Sequence, residues 1–198
     1  MLTPTMIARL IASDRPGQLL DAIISNGQYL PRSVHAHLLH SPVSLLALGL
    51  KRVVELSRGP HPARDQLTRD LLDAQLEDGS FDADPLATAY AVAALASLMQ
   101  DRQGASPEVC QAHDRAVEAL AAMQDGQGLF GDSEIRQGDR MRASACVLHL
   151  LSRDALACDR LNLTHLLDVL ERQPSSMDRD TQSYLRIARA SMPRSRAA

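Results

Sequence analysis

The side chains equipped for chemistry fall into three clusters. Asp82-Ala83-Asp84 sets two carboxylates on either side of one alanine, in front of Pro85. A carboxylic acid kept protonated by its neighbours can pass a proton to an apolar substrate, which makes Asp82 and Asp84 the candidates for acid catalysis. Their plainer roles are a helix cap for Asp84 and a solvated loop acid for Asp82. His35-x-His37-x-x-His40 is the one local group of histidines. Imidazoles at 37 and 40 share a helix face and His35 joins them on an extended backbone, so these three are the candidate metal ligands. They have no acidic or cysteine partner nearby in sequence, and the expectation is a protein without a bound metal or other cofactor. The third cluster is the loop from Gly131 to Arg142, longer than its counterpart after Phe81, with Asp132, Glu134 and Asp139 beside Arg136, Arg140 and Arg142. Long loops in compact domains are often functional, so Asp132, Asp139, Arg140 and Arg142 are candidate ligand-binding residues. His149 lies in an apolar stretch and reads as a core histidine hydrogen-bonded to a neighbour.

Other chemistries lack their residues. Cys110, Cys146 and Cys158 are odd in number and form no Cys-x-x-Cys pair, which suggests neither a disulfide framework nor a zinc knuckle. No serine sits in a nucleophile elbow, and no glycine loop has phosphate-binding spacing. A net charge of −3 over 198 residues supplies no basic footprint for nucleic acid. The most apolar segment, Pro85 to Met99, is shorter than the ~20 residues of a membrane span, and the first residues make a poor signal peptide. A soluble cytoplasmic protein, without nucleic acid or membrane insertion, is expected.

The elements that position these clusters are helical. Thr3-Pro4, Ser41-Pro42, Asp84-Pro85 and Ser106-Pro107 each put a capping side chain before a proline, where the missing N–H is not needed. Helices are predicted over 4–13, 17–25, 42–57, 62–76, 85–101, 107–124, 140–152, 163–172 and 179–191, with 26–41 as the longest irregular connection, holding at most a helical turn around His37. Segments 62–76 and 107–124 carry single apolar stripes (Leu67, Leu71, Ala74; Val109, Ala112, Ala116, Leu120, Met123), as half-buried outer helices do. Segments 85–101 and 140–152 are apolar nearly all round and must be buried on several sides. Leu71-Leu72-Asp73-Ala74, Gly79 and Phe81 align with Leu19-Leu20-Asp21-Ala22, Gly27 and Tyr29. They align again with Leu120, Gln124, Gly128 and Phe130, and faintly with Leu166-Leu167-Asp168, where Pro174 replaces the glycine. The chain reads as one all-α domain over 1–198 with four helical hairpins, about 4–57, 62–101, 107–152 and 163–191.

Gln75-x-x-Asp78-Gly79-Ser80-Phe81 followed by Thr88-Ala89-Tyr90-Ala91-Val92-Ala93-Ala94-Leu95 resembles the repeat of terpene cyclases and protein prenyltransferase β subunits, and Gln124 to Phe130 with Ser144 to Leu151 does so again. The resemblance implies an α/α toroid, here incomplete, with loops leading into inner helices that face a central cavity; Tyr90 on an inner helix is then a candidate ligand contact. The activities do not carry over. Where the prenyltransferases hold zinc with Asp-x6-Asp-x-x-His, this chain has Asp132-x6-Asp139-x-x-Arg142, and no cysteine follows Asp82 or Asp84 in the helix after that loop. The cyclase Asp-x-Asp-Asp motif is matched by Asp82-Ala83-Asp84-Pro85, one acid short. Two Phe, three Tyr and no Trp cannot line a carbocation cavity. The thioester sequence of the related complement domain is absent.

The expected function is a non-catalytic binding or interaction module using its concave inner face and the 131–142 loop. The alternative is a small enzyme or binding protein acting on an isoprenoid or other apolar small molecule. A ring short of hairpins leaves inner surface uncovered, so a homodimer or a protein partner completing the array is expected.

Overall fold

The computed structural model describes residues 2–13, 15–26, 30, 32–57, 59–101, 105–131, 136–173 and 177–192. These form α1 (Pro4–Ala12), α2 (Pro16–Ser25), α3 (Arg32–His40), α4 (Pro42–Leu56), α5 (Pro62–Asp73), α6 (Pro85–Gln100), α7 (Pro107–Ala122), α8 (Gln137–Leu151), α9 (Ala155–Arg160), α10 (Leu163–Glu171) and α11 (Arg179–Ser191). No strand occurs among the described residues; Gln124 and Phe130 make an isolated antiparallel bridge. The fold class is all-α.

The four Ser/Thr/Asp-Pro signals all start helices. Thr3, Ser41, Asp84 and Ser106 accept from the backbone N–H of Met6, Ser44, Ala87 and Val109 respectively, each satisfying one orphan donor of the first turn. Two helices depart from expectation. Within the supposed irregular connection 26–41, α3 forms because Val34 and Leu38, one turn apart, are both buried; that stripe outweighs the surrounding histidines. Likewise α8 begins at Gln137, three residues before the expected start, so Asp139 stands on the helix with Arg140 and Arg142. The short α9 is capped by Asp154, which accepts from the N–H of Ala157.

Burial separates the helices into two kinds. Ser44–Leu50 of α4, Ala87–Ala96 of α6 and Ser144–Leu148 of α8 are buried without interruption. By contrast α5 buries Ala63, Arg64, Leu67 and Leu71, and α10 buries Leu163, Leu166 and Leu170, one stripe each. Each core leucine removed from water contributes about 1.5–3 kcal/mol before cavity terms. The three continuously buried helices neighbour one another in chain order, α6 lying against α4 and α8, and α11, which buries the single stripe Thr181, Tyr184, Leu185 and Ala188, lies against α8. Helix α5 covers α4 and touches α1, α7 covers α6 and touches α9, and α10 lies on α8.

The loops entering α6 and α8 are built alike. In the first, Asp78 Oδ1 accepts from the Ser80 N–H, the Leu76 N–H donates to Ser80 O, and the Phe81 N–H donates to Thr88 Oγ1 at 3.1 Å. In the second, Asp125 Oδ1 accepts from the N–H groups of Gln127 and Leu129, the Asp125 N–H donates to Leu129 O, and the Phe130 N–H donates to Ser144 Oγ at 2.9 Å. Phe81 and Phe130 are fully buried. Gly79 has φ +89° and its Cα faces the backbone of α7, where an added Cβ would lie 2.6 Å from Arg115 O.

Candidate functional site

One polar group gathers where α4 and α6 begin. Ser41, in front of α4, donates its hydroxyl to Asp82 Oδ2 at 3.2 Å, and its Oγ is 2.8 Å from Ser44 Oγ. Ser41 has one proton for these two contacts, and Ser44 Oγ is in turn 2.9 Å from His37 Nε2 on α3. His37 stacks on Tyr90 of α6, with ring centroids 6.4 Å apart, and its Nε2 stands 3.9 Å from Asp84 Oδ1. Burial lowers the His37 pKa, with Asp84 and Asp82 pulling the other way. Asp82 and Ala83 both have positive φ, 54° and 50°, so a strained turn brings Asp82 to Ser41.

The pairing of a serine hydroxyl with an imidazole has the form of an activated nucleophile, but Ser44 is completely buried and no substrate reaches its oxygen. Asp84 spends one oxygen capping α6, while its side chain keeps 41% of its exposure. That setting is unlike the desolvated pocket in which a carboxylic acid stays protonated. This group ties α3, α4 and the 81–84 turn together.

The second feature is a cavity of about 480 Å³ between α4, α6, α8 and α11. Leu48, Lys51, Val54 and Glu55 of α4, Tyr90, Ala93, Ala96 and Ser97 of α6, His149 and Leu150 of α8, and Tyr184 and Ile187 of α11 line it. Arg153 and Asp154 stand just beyond α8. Cys146, buried, shares hydrogen bonds with the wall residues Tyr90 and Tyr184; burial pushes the thiol up to about 12, so it is not a nucleophile. His149 packs against Tyr184 with ring centroids 5.0 Å apart. Its Nδ1 is buried without a hydrogen-bond partner, contrary to the expected satisfied core histidine. Burial, then the charges of Lys51 and Arg153, lower its pKa to about 4.

The remaining candidates lie elsewhere. Arg140 pairs with Asp125, and Arg142 pairs with Asp139 at 3.0 Å and with Asp178, the cap of α11, at 2.8 Å. These ion pairs fasten the start of α8 to its neighbours. Asp132 and Glu134 lie outside the described residues. On α3, successive residues turn by about 100°, which sends His35 to the face opposite His37 and His40. No group of three or more His, Cys, Asp or Glu side chains able to hold a metal is assembled among the described residues. Of the candidates named from sequence, the structure thus joins Asp82, Asp84 and His37 in one group with Tyr90 at its edge, and places Tyr90 alone on the cavity wall.

Sequence reasoning missed Lys51, Tyr184 and Arg153 as cavity residues. Each is isolated in sequence; the available signal was a polar residue on an otherwise apolar helix, as at Lys51 and His149. No helix among the described residues is long and apolar enough to cross a membrane. Compared with known proteins, the chain matches no family model and no curated protein sequence.

Proposed function

We propose that this chain is a non-catalytic ligand-binding module, an incomplete α/α toroid in which α4, α6, α8 and α11 form the inner row and α5, α7, α9 and α10 the outer one. The observation that carries the reading is the cavity, since all four inner helices contribute to its wall. Concave sites of this size are where small molecules bind, and this one sets apolar side chains beside Lys51, Glu55, His149 and Arg153. The recurrence of one loop structure before α6 and α8 supports the repeat arrangement, and the neighbour order of the inner helices supports the curvature. As for the alternative of an acid catalyst, the exposure of Asp84 and its capping role favour binding over chemistry.

Calorimetric titration with 1-octanol, a neutral apolar probe, tests the proposal. Octanol binds the full chain, and Ser97→Phe, which adds a ring to the cavity wall, abolishes binding while leaving the fold intact. Asp84→Ala costs about 1 kcal/mol of stability, the value of a cap, and no octanol affinity. Absence of binding to the unmodified protein, or binding unaffected by Ser97→Phe, contradicts the proposal.

A further inference from the structure

The charges around the cavity are unbalanced. Three carboxylates line it, and each is engaged: Glu55 by Lys51 and Arg52, Asp101 by Arg64, and Asp154 by His113 at 2.6 Å. The cations are less well matched. Lys51 shares its one carboxylate with Arg52, and Arg153 has no ion-pair partner among the described residues. Lys51 enters from α4 and Arg153 from the end of α8, and the charges of both act on His149, whose buried Nδ1 lacks a partner. Next to this cationic wall lie the apolar side chains of Leu48, Val54, Leu150 and Ile187.

We propose that the occupant of the cavity is an amphipathic monocarboxylate, its apolar body against Leu48, Val54, Leu150 and Ile187 and its carboxylate at Lys51 and Arg153. The inference rests on reading the cavity as a ligand site. One anion is what the site can neutralise: a single unmatched guanidinium and a half-matched ammonium suit one carboxylate, whose two oxygens fit the guanidinium fork. A ligand bearing several negative charges calls for more cations or for a metal, and no metal-holding group of His, Cys, Asp or Glu is assembled among the described residues.

The test compares octanoate with 1-octanol by calorimetry on the full chain at neutral pH, in unmodified protein and in Arg153→Gln. Octanoate binds about tenfold more tightly than octanol, and Arg153→Gln weakens octanoate about threefold or more while leaving octanol unchanged. Arg153 is exposed, so this variant keeps the fold, which circular dichroism verifies. If octanol binds as tightly as octanoate and Ser97→Phe blocks both, the carboxylate inference falls and the cavity reading stands. An octanoate preference unchanged by Arg153→Gln also overturns the inference. If neither probe binds, both fall.

Discussion

Gln75 and Gln124 make the same pair of hydrogen bonds. Each Nε2 donates to the carbonyl four residues on, Gly79 O at 2.9 Å and Gly128 O at 3.0 Å, and to a carbonyl 37 residues on, Ala112 O at 2.8 Å and Leu161 O at 3.2 Å. One amide thus closes its own loop and holds that loop to the next part of the chain. Gln75→Ala and Gln124→Ala each strand two part-buried carbonyls, and each is expected to destabilise by about 1–3 kcal/mol. Urea denaturation of the two variants, with the exposed Gln111→Ala as control, measures this; a loss at only one of the glutamines contradicts their equivalence.

Gly79 is required by both conformation and space. Gly79→Ala combines a positive φ with a Cβ 2.6 Å from Arg115 O and is expected to cost about 1–3 kcal/mol. Nothing lies within 4 Å of a Cβ at Gly126, so Gly126→Ala is expected to be neutral within about 0.5 kcal/mol. Thermal melts of the two variants supply the comparison.

Much of this was legible in the residues before the structure. Thr3, Ser41, Asp84 and Ser106 announce helix starts because a cap is local chemistry, and Gln75 and Gln124 announce their loops because the loop is closed within four residues. What escaped was long-range. Helix α3 depends on burial of Val34 and Leu38 by the rest of the chain, and the Ser41–Asp82 bond joins residues 41 apart. Arg142 looks like a free rim charge until Asp178, the cap of α11, meets it. The cavity takes residues from four helices, so no local pattern reveals it.

Two histidines shift stability in opposite directions. His113 is buried against Asp154 at 2.6 Å; burial alone lowers its pKa, but the hydrogen bond and charge of Asp154 and the neighbouring Asp114 raise it overall. A raised folded pKa gives stability that is full below the ordinary value of 6.5 and is lost as pH rises through the folded value. Asp154 is shifted down, the burial penalty being outweighed by His113 and by backbone N–H groups, so its contribution is lost only as pH falls through that lowered value. Urea midpoints measured upward from pH 6 are expected to fall in the unmodified protein and to lose this slope in His113→Gln.

His149 acts at the acid side. With its pKa at about 4 in the folded chain against 6.5 ordinarily, the unfolded chain takes up a proton that the folded chain refuses as pH drops through this range. Stability is full above about pH 6.5 and declines toward pH 4, by on the order of 3 kcal/mol at most. His149→Leu is expected to flatten the decline between pH 6.5 and pH 4, as followed by urea unfolding at half-unit intervals; a decline unchanged in the variant contradicts the assignment.

Whether a ligand occupies the cavity is most directly read from methyl groups. In a ¹H–¹³C spectrum, saturating 1-octanol is expected to shift Leu48, Val54, Leu150 and Ile187, which line the cavity, and to leave Leu67 and Leu71 of α5 and Leu166 of α10 in place. An unchanged spectrum, or shifts confined to Leu185 in the groove between α10 and α11, would contradict a binding site in the cavity between α4, α6, α8 and α11.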